Sequence, residues 1–509
     1  MNFFGRRQIL TSCLPKSLQP REYLGETLDD TTVAREVNEA LLVHRKNEEE
    51  CRALFRIYRG NHDILRRPRG NRIVNNRVVL DYPLAFTRNI TGYTYSGGIR
   101  YVPTEDKYAE PVRLLNNFMR CENKHVFDKT MADNQSITGT SYLSIFPDEM
   151  EKNGVPFELS DLSPEHAFVA YSTMNKNIPV FSWNVFPVTT NGVRYWAHQV
   201  YSRDRKWLFK SRSRYTVRTE DLLHASSHIL GDVPIIEYPN NQFRLGDWEC
   251  AVSVFNALNN MASDGINDVE QTVLSYLALF GVDLEAEDLE DMRKNRILVF
   301  KGAAGINQDA KFITAQLDGN SAQLLRAYLE QALKCIVGIP DRDVGQSGSD
   351  TGLSAQVRTG SNDMEIVARN KTIFTSMSER RLLRIALNIL TPQYIKDLQV
   401  ENIDIDIPRN KLTDIVSKTQ AGSTAYAMGI AKTDVARIMD VTNDIIGFCD
   451  RWEKNESRKA TAQTEAQTVE TPLEDTETEN KEEPNDTRST FGRRVPGGDD
   501  RRGDRSGAR

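Results

Sequence analysis

The chain has 509 residues, too many for one ordinary core, so roughly two to four domains are expected. With 27% charged and 39% hydrophobic residues, a mean hydropathy of -0.51 and no run of about 18 apolar residues, it offers no membrane span. A net charge of -6 and a pI near 5.8 exclude a protein that grips nucleic acid by overall positive charge.

The N-terminal stretch MNFFGRRQILTSCLPKSL has no continuous apolar region and no small-residue cleavage site, so no secretory signal is expected. Residues 28–65 predict a helix carrying Ala40, Leu41, Val43, Leu54, Phe55 and Ile57 and ending at Gly60-Asn61. An arginine cluster follows (Arg66, Arg67, Arg69, Arg72 and Arg77), then an apolar segment at 78–99. Residues 105–138 read as helix, with Pro111 near its start. From 141 to 218 the period changes to two, which predicts an antiparallel meander with a hairpin at Asn191-Gly192.

Residues 247–277 predict a helix about 45 Å long with Asp247 as its cap. Trp248, Val252, Phe255, Leu258, Ile266 and Val269 form its apolar side, and Asn260, Ser263, Asp264, Asn267, Asp268 and Glu270 the opposite polar face. A compact segment at 279–317 holds an acidic helix start (LEAEDLEDMRKN) and a strand (RILVFKG). A second helix at 321–337 is stopped by Gly338 and Pro340. The loop GIPDRDVGQSGSDTGLSAQ follows, and Ser354 caps a third helix running to 390. Its apolar positions are Val357, Ile366, Ile373, Met377, Leu382, Leu383, Leu387 and Leu390. Residues 398–408 alternate like an edge strand, and 409–452 read as helical. From about 457 large apolar residues almost vanish. An acidic stretch at 465–486 precedes an arginine-rich end, a composition that predicts disorder.

Motifs that carry catalysis are missing: there is no GxxxxGK[ST], GxSxG, HExxH or EF-hand loop. KGAAG at 301–305 reads as a turn after a strand. His224 and His228 stand four apart with no third ligand beside them, so no metal site is expected. Cys121 and His125 read as a chance pair, Asp404 and Asp406 as a solvated strand face, and Arg502-Gly503-Asp504 as a chance tripeptide. Six cysteines without CxxC spacing read as reduced thiols in a reducing compartment. Cations interleave with aromatics at 203–218, and strand alternation makes this a solvated sheet face or a protein interface rather than a nucleic-acid groove. No cofactor, metal or catalytic residue is expected, and the chain reads as a non-enzyme.

The order of elements carries a resemblance: long helix, small insertion, helix, flexible loop, longer helix, appended helices. With RIVNNRVVLDYPLAFTRNITGYTYSGGIRY (72–101), ALNNMASDGINDVEQTVLSYLALFG (257–281), GQSGSDTGLSAQV (345–357) and GIAKTDVARIMDVTND (429–444), the chain resembles the portal proteins of tailed bacteriophages over residues 28–452. These are the portals of long-tailed phages of Gram-positive bacteria. The resemblance implies an α+β, mainly α portal fold with wing, stem, clip and crown, closed into a ring of about twelve subunits around a channel.

By the same resemblance, 1–27 is an arm, 28–246 the wing, 247–278 and 318–338 the stem helices, and 279–317 the clip. Residues 339–353 become the tunnel loop, 354–394 a connecting helix, 395–452 the crown and 453–509 a disordered charged tail. The loop would present Asp341, Arg342, Asp343, Gly345, Gln346, Ser347, Gly348, Asp350 and Gly352 to the channel. It is mostly polar without strong attraction, so a sliding duplex is not held; Arg342 departs from that rule.

Implied partners are double-stranded DNA passing through the ring, the terminase large subunit whose ATPase drives packaging, the major capsid protein, scaffold and a head-completion adaptor, with no membrane. The implied location is the virion's portal vertex, reached through the host cytoplasm during assembly. Two other readings are carried: a minor head or scaffold component, which predicts no ring, and a nucleic-acid-processing enzyme, which predicts metal-dependent cleavage by the pure protein.

Overall fold

The computed structural model describes residues 28–68, 74–148, 154–172, 178–273, 319–340, 361–391, 393–409, 415–439, 448–449 and 451–458, and the strands at 22–23, 277–280, 297–300 and 309–312. It is a mixed helix and strand fold in which helix predominates. The chain divides into two units, 1–411 and 412–509.

The first unit opens with β1 (Glu22–Tyr23) and α1 (Val33–Tyr58). Helix α2 (Tyr82–Thr94) has proline in its first turn, where the missing N–H costs nothing. The helix expected across 105–138 is two helices, α3 (Ala109–Cys121) and α4 (Lys124–Thr138), separated by Asn123 at φ 56. Asparagine tolerates the left-handed conformation well enough to make that break. Strand β2 is Arg100–Pro103.

The expected meander is present, divided between two sheets. Strands β5 (Ala167–Ser172), β6 (Pro179–Thr190), β7 (Val193–Tyr201), β8 (Arg205–Ser211) and β9 (Leu222–Ser227) run antiparallel in sequence order, with β1 parallel to β5 at one edge. Strands β3 (Thr140–Pro147), β4 (Phe157–Leu162) and β10 (Ile235–Pro239) form the second sheet. The β6–β7 turn has Asn191 at φ 50 and Gly192 at φ 76, as a two-residue hairpin turn requires. One face of the larger sheet packs Phe181, Trp183, Trp207 and Phe209 against Val33, Val37, Ala40 and Leu41 of α1. Trp207 and Phe209 thus point inward from the basic–aromatic segment, as its alternation required.

His224 and His228 lie on or beside strand β9, not on a helix. Four residues along a strand span about 13 Å, too far to share an ion. His228 instead donates from Nε2 to the Ser202 carbonyl.

His44 of α1 is buried in this core beside Phe168 and Trp183, and donates from Nε2 to the Glu165 carbonyl. Burial pushes its pKa down to about 4 from 6.5. The folded state therefore holds it neutral, and its stability is complete above pH 6.5 and lost as pH falls toward 4. Near pH 5 the penalty is about 2 kcal/mol. Urea midpoints measured from pH 7 to 5 should fall, and His44→Gln should flatten that dependence relative to wild type.

After β10, a 3₁₀ turn at Glu249–Ala251 leads into α5 (Val252–Val273), which is about 33 Å long rather than 45 Å. Asp247 is not its cap: the carboxylate accepts from Asn240 and pairs at 2.7 Å with buried Lys371. Strands β11 (Leu277–Phe280), β12 (Ile297–Phe300) and β13 (Asp309–Phe312) form a small sheet in the order β12-β11-β13. The acidic stretch 284–295 and KGAAG lie outside the described residues. Helix α6 (Gly319–Val337) ends at Gly338, φ 72, whose N–H returns to the Lys334 carbonyl.

Helix α7 is described from Ser361 to Leu390; Ser354 and Val357 lie outside the described residues. Its lower half reverses the expected faces. Ile366, Ile373 and Met377 are exposed, whereas Lys371, Thr375, Ser378 and Glu379 are buried. Each buried polar group is satisfied: Lys371 by Asp247, Thr375 by Tyr95, Ser378 by the Glu237 carbonyl and Glu379 by Lys124. Leu382, Leu383, Leu387 and Leu390 fill the core as expected. Strand β14 (Ile403–Asp406) pairs with β2 and leaves Asp404 and Asp406 exposed.

The second unit contains α8 (Ile415–Ala427), Gly429 at φ 84 and α9 (Lys432–Met439). Helix continues at 451–458, past the expected tail start at 453, because Trp452 packs against Tyr426 and Glu456 accepts from Tyr426, Lys432 and Trp452. Arg502-Gly503-Asp504 lies outside the described residues.

Candidate functional site: a helix pair and its strap

Helices α5 and α6 form an out-and-back pair. Trp248, Val252, Phe255 and Leu258 at the start of the outgoing arm share one core with Leu333 and Val337 at the end of the returning arm. Tyr82 of α2 stacks on Phe255 and donates to Glu330 of α6. The pair is thereby fixed to the first unit's helices at one end, and the β11–β13 sheet lies between its two helices in the sequence.

The polar face of α5 is occupied by its own chain. An extended strap, residues 74–80, is hydrogen-bonded to the helix through side chains. Asn76 N–H donates to Asn267 Oδ1 at 2.6 Å, Val78 N–H to Ser263 Oγ at 2.9 Å and Leu80 N–H to Asn259 Oδ1 at 2.8 Å. Asn76 Nδ2 adds a bond to Glu270, and Arg67 pairs with Asp264 at 2.7 Å. The two periods match: four helix residues rise about 6 Å, and two extended residues about 6.6 Å. One side chain per helical turn can therefore meet every second strap amide.

Of the residues expected on the polar face, Ser263, Asn267 and Glu270 bond to the strap and Asp264 pairs with Arg67, while Asn260 and Asp268 remain exposed. Asn259 was not anticipated from the sequence. Its amide links the strap to the buried His62, donating to Nδ1 at 2.8 Å, which places the ring proton on Nε2 facing Asp81. Burial lowers the His62 pKa. The available signal was the period-four recurrence Asn259, Ser263, Asn267 opposite an asparagine-rich extended segment. Asn267→Ala should release the Asn76 amide, raising its hydrogen-exchange rate at least tenfold while the α6 amides stay protected.

Apolar side chains on the same helices face outward. Ile266 and Val269 on α5, Leu324, Leu325, Tyr328 and Ile336 on α6, and Ile366, Ile373 and Met377 on α7 are all exposed; Leu324 retains 73% of its surface.

Asp341, Arg342, Asp343, Gly345, Gln346, Ser347, Gly348, Asp350 and Gly352, which join α6 to α7, lie outside the described residues. Among the described residues no group of three or more His, Cys, Asp or Glu is arranged to hold a metal, and no helix is long and apolar enough to cross a membrane. Cys121 and Cys335 are free thiols at the surface, Cys51 and Cys449 are buried and Cys250 is half-buried.

A solved structure described as "Neck of empty GTA particle computed with C6 symmetry" is similar over 77% of this chain and 94% of its own, at 12% identity and a TM-score of 0.44. No curated protein matches. The family model "Phage portal protein, SPP1 Gp6-like" matches residues 42–469, most of the chain and every element from α2 to α9. The chain therefore belongs to the SPP1 Gp6-like phage portal family, structural virion proteins that form the portal at a capsid vertex.

Proposed function

We propose that the protein closes into a ring of about twelve copies through heterologous contacts, and that double-stranded DNA enters and leaves the capsid through its channel. The observation that carries this reading is the set of large apolar side chains left exposed on α5, α6 and α7. An isolated subunit gains nothing from exposing it, whereas a neighbour seated on it removes that surface from water.

In this arrangement residues 28–246 are the wing, 247–278 and 318–338 the stem, and 279–317 the clip, seating the terminase large subunit and later the head-completion adaptor. The polar loop 339–353 lies on the channel axis. The wing meets the major capsid protein, and scaffold assists assembly in the host cytoplasm. Because β14 pairs with β2 inside the first unit, and helix continues to residue 458, the crown is better drawn at 412–458 than at 395–452. The strap gives Asn267 and Glu270 a holding role within one subunit. The protein itself hydrolyses nothing; the motor does.

Leu324→Asp with Tyr328→Asp places two charges on the exposed α6 face without touching the buried Leu333 or Val337. Sedimentation should show the wild type as a closed oligomer and the variant as a folded monomer with unchanged circular dichroism. A variant that still forms the ring would remove α6 from the contact.

A further inference from the structure

The wing surface beside the β6–β7 hairpin carries an unbroken row of alternating cations and rings. Arg45 of α1 lies over Tyr215, with its guanidinium carbon 5.4 Å from the ring centroid. Arg214 lies over Tyr215 at 5.6 Å and over Trp196 at 5.2 Å, and Arg194 lies over Trp196 at 4.8 Å. The middle cation is internal: Arg214 is anchored by buried Glu48 at 2.9 Å and donates to the Glu165 carbonyl. The two ends are exposed, as is Arg212 two residues along, and none of these three has an ion pair among the described residues. Some exposed arginines of the first unit are neutralised locally, as in Arg67–Asp264, Arg113–Glu110, Arg218–Glu220 and Arg384–Asp232; what distinguishes this row is that its cations are stacked on rings beside one another.

We propose that this row is a docking surface for the phosphate backbone of duplex DNA, outside the channel; the proposal rests on the reading that the protein handles double-stranded DNA. The rings select the partner. A single strand binds by stacking its bases on open aromatic faces, and a protein hot spot buries aromatic surface. Here Trp196 and Tyr215 each already carry two of the protein's own guanidinium groups, so a partner meets N–H edges rather than rings. Guanidinium edges pair bidentately with phosphate, and stacking on a ring restrains the side chain before the anion arrives. The contact carries no base readout, so it is independent of sequence.

The test uses the full chain and a fluorescein-labelled, mixed-sequence duplex of about 20 base pairs, with anisotropy read across a salt series. The triple variant Arg45→Gln, Arg194→Gln, Arg212→Gln should bind at least tenfold more weakly than wild type at low salt. Its slope of log affinity against log salt should be shallower by about 2.7, since each phosphate contact contributes about 0.9. Equal binding by variant and wild type overturns the proposal. So does tighter binding of a single strand of equal length, or displacement of the duplex by polyglutamate at a lower charge concentration, which would mark an acidic protein as the partner. Sedimentation of the same samples separates the two readings: patch-dependent duplex binding by a protein that never forms rings supports the surface and overturns the ring.

Discussion

Gly139→Ala is expected to destabilise the first unit by about 3–5 kcal/mol, lowering its melting temperature by roughly 4–6 °C. Gly139 ends α4 at φ 80, with its N–H donating to the Gln135 carbonyl and its own carbonyl accepting from Asn240. A Cβ there would overlap the Arg244 carbonyl and lie 2.7 Å from the Leu245 carbonyl carbon. Both neighbours are backbone, so no side chain can swing away. The loop 240–247 crosses the end of α4 at this point, and Gly246 makes the reciprocal approach, with its Cβ position 2.6 Å from the Ile137 carbonyl oxygen. From there the chain enters α5, so the substitution forces apart the surfaces that set the direction of the helix pair. Gly192→Ala is the control: φ is 76, but nothing lies within 4 Å, so it should cost only about 1 kcal/mol. Equal losses in urea titrations of the two variants would show that the close approach at Gly139 contributes nothing.

Lys124→Met should cost about 3–5 kcal/mol at pH 7, because it leaves two buried carboxylates without their cation. Lys124 pairs with Asp128 and, at 2.9 Å, with Glu379, all three almost wholly buried. Tyr101 and Tyr238 donate their hydroxyls to Glu379 at 2.7 and 2.9 Å, which completes a network joining α4, β2 and β10 to α7. Burial pulls the Lys124 pKa down, but the two carboxylates hold it up at about 12, so the wild-type ammonium stays charged between pH 5 and 7. Burial raises the Asp128 pKa even with the lysine present. Without the lysine, a carboxyl will take up a proton in the folded state at a pH where the unfolded chain is still ionised. The folded variant then binds more protons than the unfolded one, so its stability rises as pH falls. The deficit relative to wild type, compared at each pH so that His44 cancels, should shrink from pH 7 to 5. A deficit independent of pH would mean that packing, not charge, is what Lys124 supplies.

The elements of the chain were legible in its sequence wherever burial follows period alone. Trp207 and Phe209 alternate inward, Asn191-Gly192 turns the hairpin, and Gly338 stops α6, each through a local rule. The faces of the second half of α5 and the first half of α7 were not legible, because hydrophobicity was a poor guide to burial there. Ser263 and Asn267 bond to a strap through its backbone amides, and the period-four recurrence of Asn259, Ser263 and Asn267 is the one trace of that contact in the sequence. Lys371 and Glu379 are buried because Asp247 and Lys124, more than 100 positions away in sequence, satisfy them. Ile366, Ile373 and Leu324 are exposed in one subunit because their proposed partner is another.

Single-particle electron microscopy of the purified protein tests the central claim most directly. The account predicts closed rings of about twelve copies in which α5 and α6 form the wall, neighbours cover Leu324, Tyr328 and Ile373, and the loop 339–353 reaches the axis. Particles that remain monomeric or dimeric at high concentration, even with scaffold and major capsid protein added, would contradict it, as would a ring whose subunits leave those three side chains facing solvent.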